Sequence, residues 1–415
     1  FDWILGALFR LAGPEAAQRI AVAACVLLLF WGAIYLIGEI RGARPWWVAP
    51  PLAMLCYGWV YHTGLFNFYL SMGLSLWAVA LAIRPSPRRL LIAVLLLAAA
   101  FFAMVIPVAW AIGIIAYYSL ATRLSLRGQI TIAAASIGAI AVLRLLLDAR
   151  YATLWTELQL LESLAIDQVW LFGFKYYVLA LILAVLWSFL LMRLSYEKGA
   201  GEVFFSVPFQ LYLITAAAVV ILPTRIEFPF YRAAITFLAE RMTLPLGVLL
   251  CVVVAAARPA RWQQIALTVL ALVYFSCIYA DTRVFNTAEA EMEQLVGTLP
   301  PDTRVFTAIV DPEVRVRPWE QIIDRVCLGR CLSYANYEPY TAAFRVRTTR
   351  GNSIVVANST EYGALRHGGY VVRHSDLPMY QIKPCMEGKP RLCLHELRAG
   401  EITKEDIYSM LPKFL

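Results

Sequence analysis

The chain has 415 residues, of which 61% are hydrophobic and 15% charged, against about 45–50% apolar and about 25% charged in soluble domains. Several apolar runs approach or exceed the ~17–25 residues that a bilayer-spanning helix needs, which argues against a soluble globule and for a polytopic membrane protein. The net charge of +8 does not describe a nucleic-acid binder: from Val284 onward 16 Lys+Arg balance 16 Asp+Glu, so the whole excess lies in the apolar part, where the positive-inside rule accounts for it.

The first residue is Phe1, and no basic segment precedes a short apolar run with a small-residue cleavage site. The chain is therefore expected to be a piece of something longer. Its first residues, "FDWILGALFRLAG", read as an amphipathic interfacial segment carrying Asp2, with Glu15 and Arg19 just beyond. Asp2, a carboxylate outside the membrane, is a candidate catalytic base.

Spans are expected near residues 20–38, 46–62, 65–83, 90–104, 105–121, 129–147, 174–193, 204–222, 242–257 and 263–280. The stretch 90–121 reads either as two short helices turning at "MVIPVAW" or as one long kinked helix. One set of connections is short and basic: "RGAR", "RPSPRR", "RLSLR", Arg193 to Lys198, and "RPAR". These are assigned to the cytoplasm. The longer connections 148–173 and 223–241 are assigned to the outside, and ten spans put both present ends there too.

Three groups in the external connections carry the candidate chemistry. The stretch "YHTGLFNFYLSMG" (Tyr61–Gly73) opens a helix that, read from Phe66, puts Asn67, Ser71, Ser75, Ala78 and Ala82 on one face. Asn67 reads as interhelical glue, or His62 and Asn67 line an external cavity and face a substrate. In "LPTRIEFPFYRAAITFLAERM", Arg225, Tyr231, Arg232 and Arg241 stand between two spans beside Glu227 and Glu240. Arginine forks match phosphate oxygens, so this cluster is a candidate lipid-phosphate site; the alternative is a neutralised surface loop or snorkelling side chains. Third, "LWTELQLLESL" has helical apolar spacing and reads as an amphipathic helix lying on the membrane. The acids around it, Asp148, Glu157, Glu162 and Asp167, are its wet face, or else a base or metal ligands.

Beyond Val284 the composition becomes that of a soluble α/β domain. "NTAEAEMEQLVGTLPPD" reads as a helix with an Asn or Thr N-cap and a Pro-Pro stop; "TRVFTAIV" (303–310) and "NSIVVANS" (352–359) read as strands. Cys25, Cys56, Cys251 and Cys277 are small apolar fillers. Cys327, Cys331, Cys385 and Cys393 lie in the tail. Outside the cytoplasm they are disulfide candidates, Cys327–Cys331 and Cys385–Cys393 first, with a zinc site as the rival. No phosphate-loop, dinucleotide-binding, zinc-protease or serine-hydrolase motif occurs.

The segments "GPEAAQRI", "FWGAIYLI", "RPWWVAPPLAMLCYGWVYHTGLFNFYLSMGLSLWAVALAIR", "LAERMTLPLGVLL" and "LVGTLPPDTRVFT", taken in order, resemble bacterial integral membrane proteins of the GT-C glycosyltransferase architecture. These are related to mannosyltransferases and lipid A-modifying sugar transferases. The resemblance covers most of the chain and rests on soft motifs rather than a catalytic signature. It implies a mainly α fold: a transmembrane helical bundle over 1–283 and a small extracytoplasmic α/β domain over 284–415. It implies residence in a bacterial inner membrane with both present termini periplasmic, and transfer of a sugar from a polyprenyl-phosphate carrier. It leaves room for a divalent metal, and for a base on the first external loop, of which Asp2 would be the tail. The alternative is a non-enzymatic membrane protein, a transporter subunit or an assembly scaffold whose tail binds partners; no convincing internal repeat supports it.

Overall fold

The structure, a computed structural model, describes residues 2–229, 234–312, 314–334, 337–338, 343–344, 359–385, 391–409 and 411. The chain divides into one unit of Phe1–Leu171, Tyr176–Ile226 and Ile235–Phe275 and another of Phe172–Lys175, Glu227–Ala234 and Ser276–Leu415.

The first unit is built of helices: α1 (Asp2–Ala12), α2 (Pro14–Arg41), α3 (Ala49–Cys56), α4 (Trp59–His62), α5 (Phe66–Ile83), α6 (Pro87–Ala103), α7 (Val105–Ala121) and α8 (Leu126–Arg150). After a short strand, β1 (Ala152–Leu154), come α9 (Leu158–Glu162), a 3-10 turn at Ile166–Gln168, α10 (Phe174–Lys198), α11 (Ala200–Phe204) and α12 (Val207–Ile221). Strand β2 (Arg225–Glu227), paired with β1, leads to α13 (Leu238–Val254) and α14 (Arg261–Gly297). Among the described residues five helices are long and apolar enough to cross a membrane: α2, α5, α8, α10 and α14. Helices α7 and α12 are shorter and apolar.

Two expectations resolve in detail. The stretch 90–121 is two helices, broken where Met104 adopts an extended backbone. The break is stitched from a neighbouring helix, because Ser71 Oγ donates to the Met104 carbonyl at 2.7 Å. The expected single span 46–62 is instead a 3-10 turn, α3 and α4, interrupted at Gly58. A Cβ at Gly58 would lie 2.7 Å from the Gln168 carbonyl oxygen, so the chain bends where only glycine admits that approach.

Helix α5 packs on α2 through small residues. A Cβ at Gly73 would stand 3.1 Å from the Leu29 backbone nitrogen and 3.2 Å from Leu28. Trp77 Nε1 donates to the Leu28 carbonyl beside it at 3.0 Å. This is the close backbone approach that membrane helices use when no hydrophobic effect drives them together. The stripe on α5 is buried at Ser71, Ser75, Ala78 and Ala82, but Asn67 is exposed and its Oδ1 accepts from its neighbour's backbone, Phe68 N, at 2.8 Å. Asn67 is thus a helix-end residue and not glue between helices.

All the short basic connections gather at one end of this unit. Glu39 pairs with Arg89 (3.0 Å) and Arg84 (3.6 Å). Glu197 Oε2 accepts from Arg258 N at 3.1 Å, and Arg41 caps the last turn of α13. Met104, the 150–171 segment and the start of α13 lie at the other end.

In the second unit, α14 runs on without the N-cap expected near Asn286. Thr287 Oγ1 donates back to the Arg283 carbonyl at 3.0 Å instead of capping a new helix. Strand β3 (Arg304–Thr307) pairs parallel with β7 (Met379–Pro384), which pairs antiparallel with β8 (Leu392–Glu396). The expected strand 303–310 changes partner at Ala308, so that β4 (Ile309–Val310) pairs with β9 (Asp406–Ile407). Helices α15 (Pro318–Val326) and α16 (Ser359–His367) and the small β5–β6 ladder (Tyr337–Glu338, Ala343–Phe344) complete the described part. Successive β3 residues feed opposite cores. Val305 packs with Met292, Trp319, Ile323 and Ile382, and Phe306 with Tyr334, Leu365, Tyr370 and Met379. The expected strand 352–359 lies outside the described residues over 352–358, and Ser359 opens α16.

Cys327 is bonded to Cys331 and Cys385 to Cys393, so these sulfurs serve as links rather than metal ligands. Cys25, Cys56, Cys251 and Cys277 are free and buried.

Gly73→Val is expected to destabilise the helical unit by about 1–3 kcal/mol, read as a lowered unfolding midpoint of the detergent-solubilised chain. Replacing Cys327 and Cys331 by serine together opens a loop of separation 4 and is expected to cost about 2 kcal/mol, checked by denaturant unfolding.

Candidate functional site

The segment 154–171 shows how an apolar environment reverses the usual reading. On α9, Leu158 and Leu161 are 56% and 57% exposed, while Gln159 and Glu162 are 0% and 4% exposed. The amphipathic helix was expected to show a wet polar face. It turns that face into the protein, as polar groups in a membrane bundle do. Gln159 Nε2 then caps the end of α12, donating to the carbonyls of Val219 (2.6 Å) and Leu222 (2.8 Å). Trp155 Nε1 donates to Val220 O at 2.7 Å.

Just beyond, Asp167 and Gln168 are buried in the 3-10 turn. Gln168 Nε2 donates to Thr243 Oγ1 at 2.6 Å and to the Glu240 carbonyl at 3.0 Å, and its Oε1 accepts from Val60 N at 3.3 Å. Thr243 Oγ1 in turn donates to Asp167 Oδ2 at 2.8 Å. One side-chain amide thus ties the turn, the start of α4 and the first turn of α13 together. Thr224 adds a second tie: its hydroxyl donates to Glu240 Oε2, and its carbonyl accepts from Leu238 N at 3.0 Å. Two non-glycine residues flank this knot with left-handed backbone, Ala165 (φ 55°) and Phe237 (φ 59°). Strained backbone of this kind persists where the surroundings over-determine it, commonly at functional sites.

The knot positions Glu240 and Arg241. Arg241 is half-buried. Its Nη1 lies 3.7 Å from Met104 Sδ at the α6–α7 break, and its Nε is buried with no hydrogen-bond partner among the described residues. No ion pair with Arg241 occurs among the described residues. Beside it, Leu238, Ala239 and Met242 help line an apolar cavity of about 470 Å³ between α7, α8, α12 and α13. Its few polar groups include Thr215, whose Oγ1 accepts from Trp110 Nε1 at 3.2 Å.

The other expected site residues are dispersed. Arg225 is exposed on β2. His62 is half-buried at the end of α4, with its ring centroid 5.1 Å from that of Tyr61. Asn67 faces outward. Tyr231, Arg232 and the Asp2 side chain lie outside the described residues. Asp148 is engaged by Arg144 (2.6 Å) and Thr153 (2.5 Å), and Lys175 pairs with the buried Asp281 at 2.6 Å. Among the described residues no three His, Cys, Asp or Glu side chains converge on a metal-sized position. Gln168, Thr224 and Thr243 escaped the sequence reading; the signal that marks them is their position beside Glu240 and Asp167 in chain-end segments of apolar runs.

No protein-family model, curated protein or solved structure matches this chain at a significant level.

Gln168→Leu leaves Val60 N unmet in an apolar setting, while the Glu240 carbonyl keeps its bond from Thr243 Oγ1 at 2.8 Å. A loss of about 1–3 kcal/mol is expected from one such group, measured by thermal unfolding in detergent.

Proposed function

We propose that the protein is a membrane glycosyltransferase that moves a sugar from a polyprenyl-phosphate carrier to an acceptor on the face opposite the basic connections. That face is extracytoplasmic by the charge asymmetry. The ten-span reading, with the broken 46–62 segment as one crossing, sends the tail to the same side, where disulfides persist. The observation that carries the reading is Arg241. A half-buried guanidinium in an apolar unit, with no ion pair and its Nε unmet among the described residues, calls for an anion. A phosphate diester matches its fork of donors, and the apolar cavity beside Met242 suits the first isoprene units of the carrier.

In the reaction, an acceptor hydroxyl oxygen attacks the anomeric carbon. The bond from that carbon to the phosphate oxygen breaks, and its electron pair leaves on the phosphate, which Arg241 stabilises. The hydroxyl proton passes to a carboxylate. Glu240, held by Thr224 next to Arg241, takes that role in this reading. A transporter reading would use the helix interruption at Met104 beside Arg241, since discontinuous helices often build transport sites.

Arg241→Ala, reconstituted in liposomes with a panel of polyprenyl-phosphate sugars, is expected to lose transfer by about 10²-fold or more. Glu240→Gln should lower turnover with less effect on donor binding. Normal turnover in Arg241→Ala overturns the phosphate assignment, and absence of transfer by the unaltered chain across the panel favours the transporter reading.

A further inference from the structure

At the basic end of the helical unit lies a cavity of about 640 Å³ that sugar transfer does not use. Arg41, Gln129, Lys198, Glu202, Ser206 and Val253 are among the residues lining it. Arg41 spends Nε and Nη2 on the last turn of α13, 2.9 and 2.6 Å from the Val252 carbonyl and 3.0 Å from that of Val253. Its Nη1 has no hydrogen bond among the described residues. Lys198, the exposed end of α10, makes no ion pair among the described residues. The first turn of α12 adds its partial positive charge, with Ser206 Oγ accepting from Phe209 N at 3.4 Å.

Gln129, the amide in the lining, is already engaged behind the cavity. Tyr117 OH donates to Gln210 Oε1 (2.5 Å), and Gln210 Nε2 donates to Gln129 Oε1 (3.3 Å) and to the Phe205 carbonyl (2.8 Å). Gln129 Nε2 donates to Ala121 O at 3.0 Å. The cations, not these amides, are what a ligand would meet. On the outer side α8 has no buried residue, and Leu126 and Ile130 are exposed where a lipid chain would run. Basic pockets between spans on the positive side are suited to anionic lipid headgroups.

We propose that this cavity binds the phosphodiester headgroup of an anionic membrane phospholipid, held by Arg41 and Lys198, with its acyl chains along α8. Among the described residues Glu202 is the one acid in the lining, and it is exposed, so with Arg41 and Lys198 the net charge of the lining favours an anion. The proposal is independent of sugar transfer.

The test is native mass spectrometry of the full chain in detergent with phosphatidylglycerol, phosphatidylcholine of identical chains, or inorganic phosphate. Phosphatidylglycerol should be retained over phosphatidylcholine by about fivefold per cation engaged. Lys198→Glu should bring the two near parity, whereas Arg123→Glu, at the same end but outside the cavity lining, should keep the preference. Arg41→Ala would also loosen the end of α13, so Lys198→Glu decides. Equal retention of the two lipids, a preference untouched by Lys198→Glu, or an equal loss in Arg123→Glu overturns the site. Phosphate bound as well as phosphatidylglycerol shows a free-anion pocket and overturns the lipid assignment.

Discussion

In apolar surroundings a backbone or side-chain polar group that finds no partner inside the protein finds none at all. The helical unit is organised around that constraint. At three of its helix ends and breaks a side chain from elsewhere meets the freed group: Ser71 at the Met104 break, Gln159 at the end of α12, Arg41 at the end of α13. Gln168 is the extreme case, since a single amide serves a backbone nitrogen, a backbone carbonyl and a hydroxyl from two other elements. Gly58 exists to let that amide come close.

Against this background an unmet cation is informative. Arg241 lies one residue from Glu240, whose carbonyl accepts from Gln168 and Thr243, yet its own Nε has no hydrogen-bond partner among the described residues. Its contact with the Met104 thioether is a weak acceptor for a full charge. A burial of this kind is costly unless something completes it, and an anionic head with a hydrocarbon body is what the proposed function would bring to it and to the apolar cavity lined by Leu238, Ala239 and Met242.

Much of the helical architecture was legible because long apolar runs and glycine or proline punctuation are local signals. The paired cysteines belong to this class, and the break at Met104 is one of the two readings that "MVIPVAW" left open. What was not legible depended on partners far away in sequence. The span 46–62 looked continuous because the reason for its bend, the Gln168 backbone, lies over a hundred residues on. The leucines of α9 suggested a helix lying on a surface with its acids in water, and the packing reversed which face is inside. Asn67 looked like the strongest polar residue on its stripe, yet its position at the helix start let its own backbone claim it. In the tail, Asn286 and Thr287 looked like a cap only because the helix running through them could not be seen from composition.

The two arginines at the ends of α13 differ in how far the protein itself meets them. Arg41 meets the C-terminal carbonyls, where the helix dipole is negative and three contacts of 2.6–3.0 Å stabilise it. Arg241 sits in the first turn of the same helix, where the dipole is positive and adds to its charge. Glu240, also in that turn, offsets part of this field, but its Oε2 is already bound by Thr224 and it forms no ion pair with Arg241. In the proposed reading an anionic headgroup arriving there would be drawn by the guanidinium and the helix N-terminus together, against the carboxylates of Glu240 and of Asp167, which Thr243 holds at the same end.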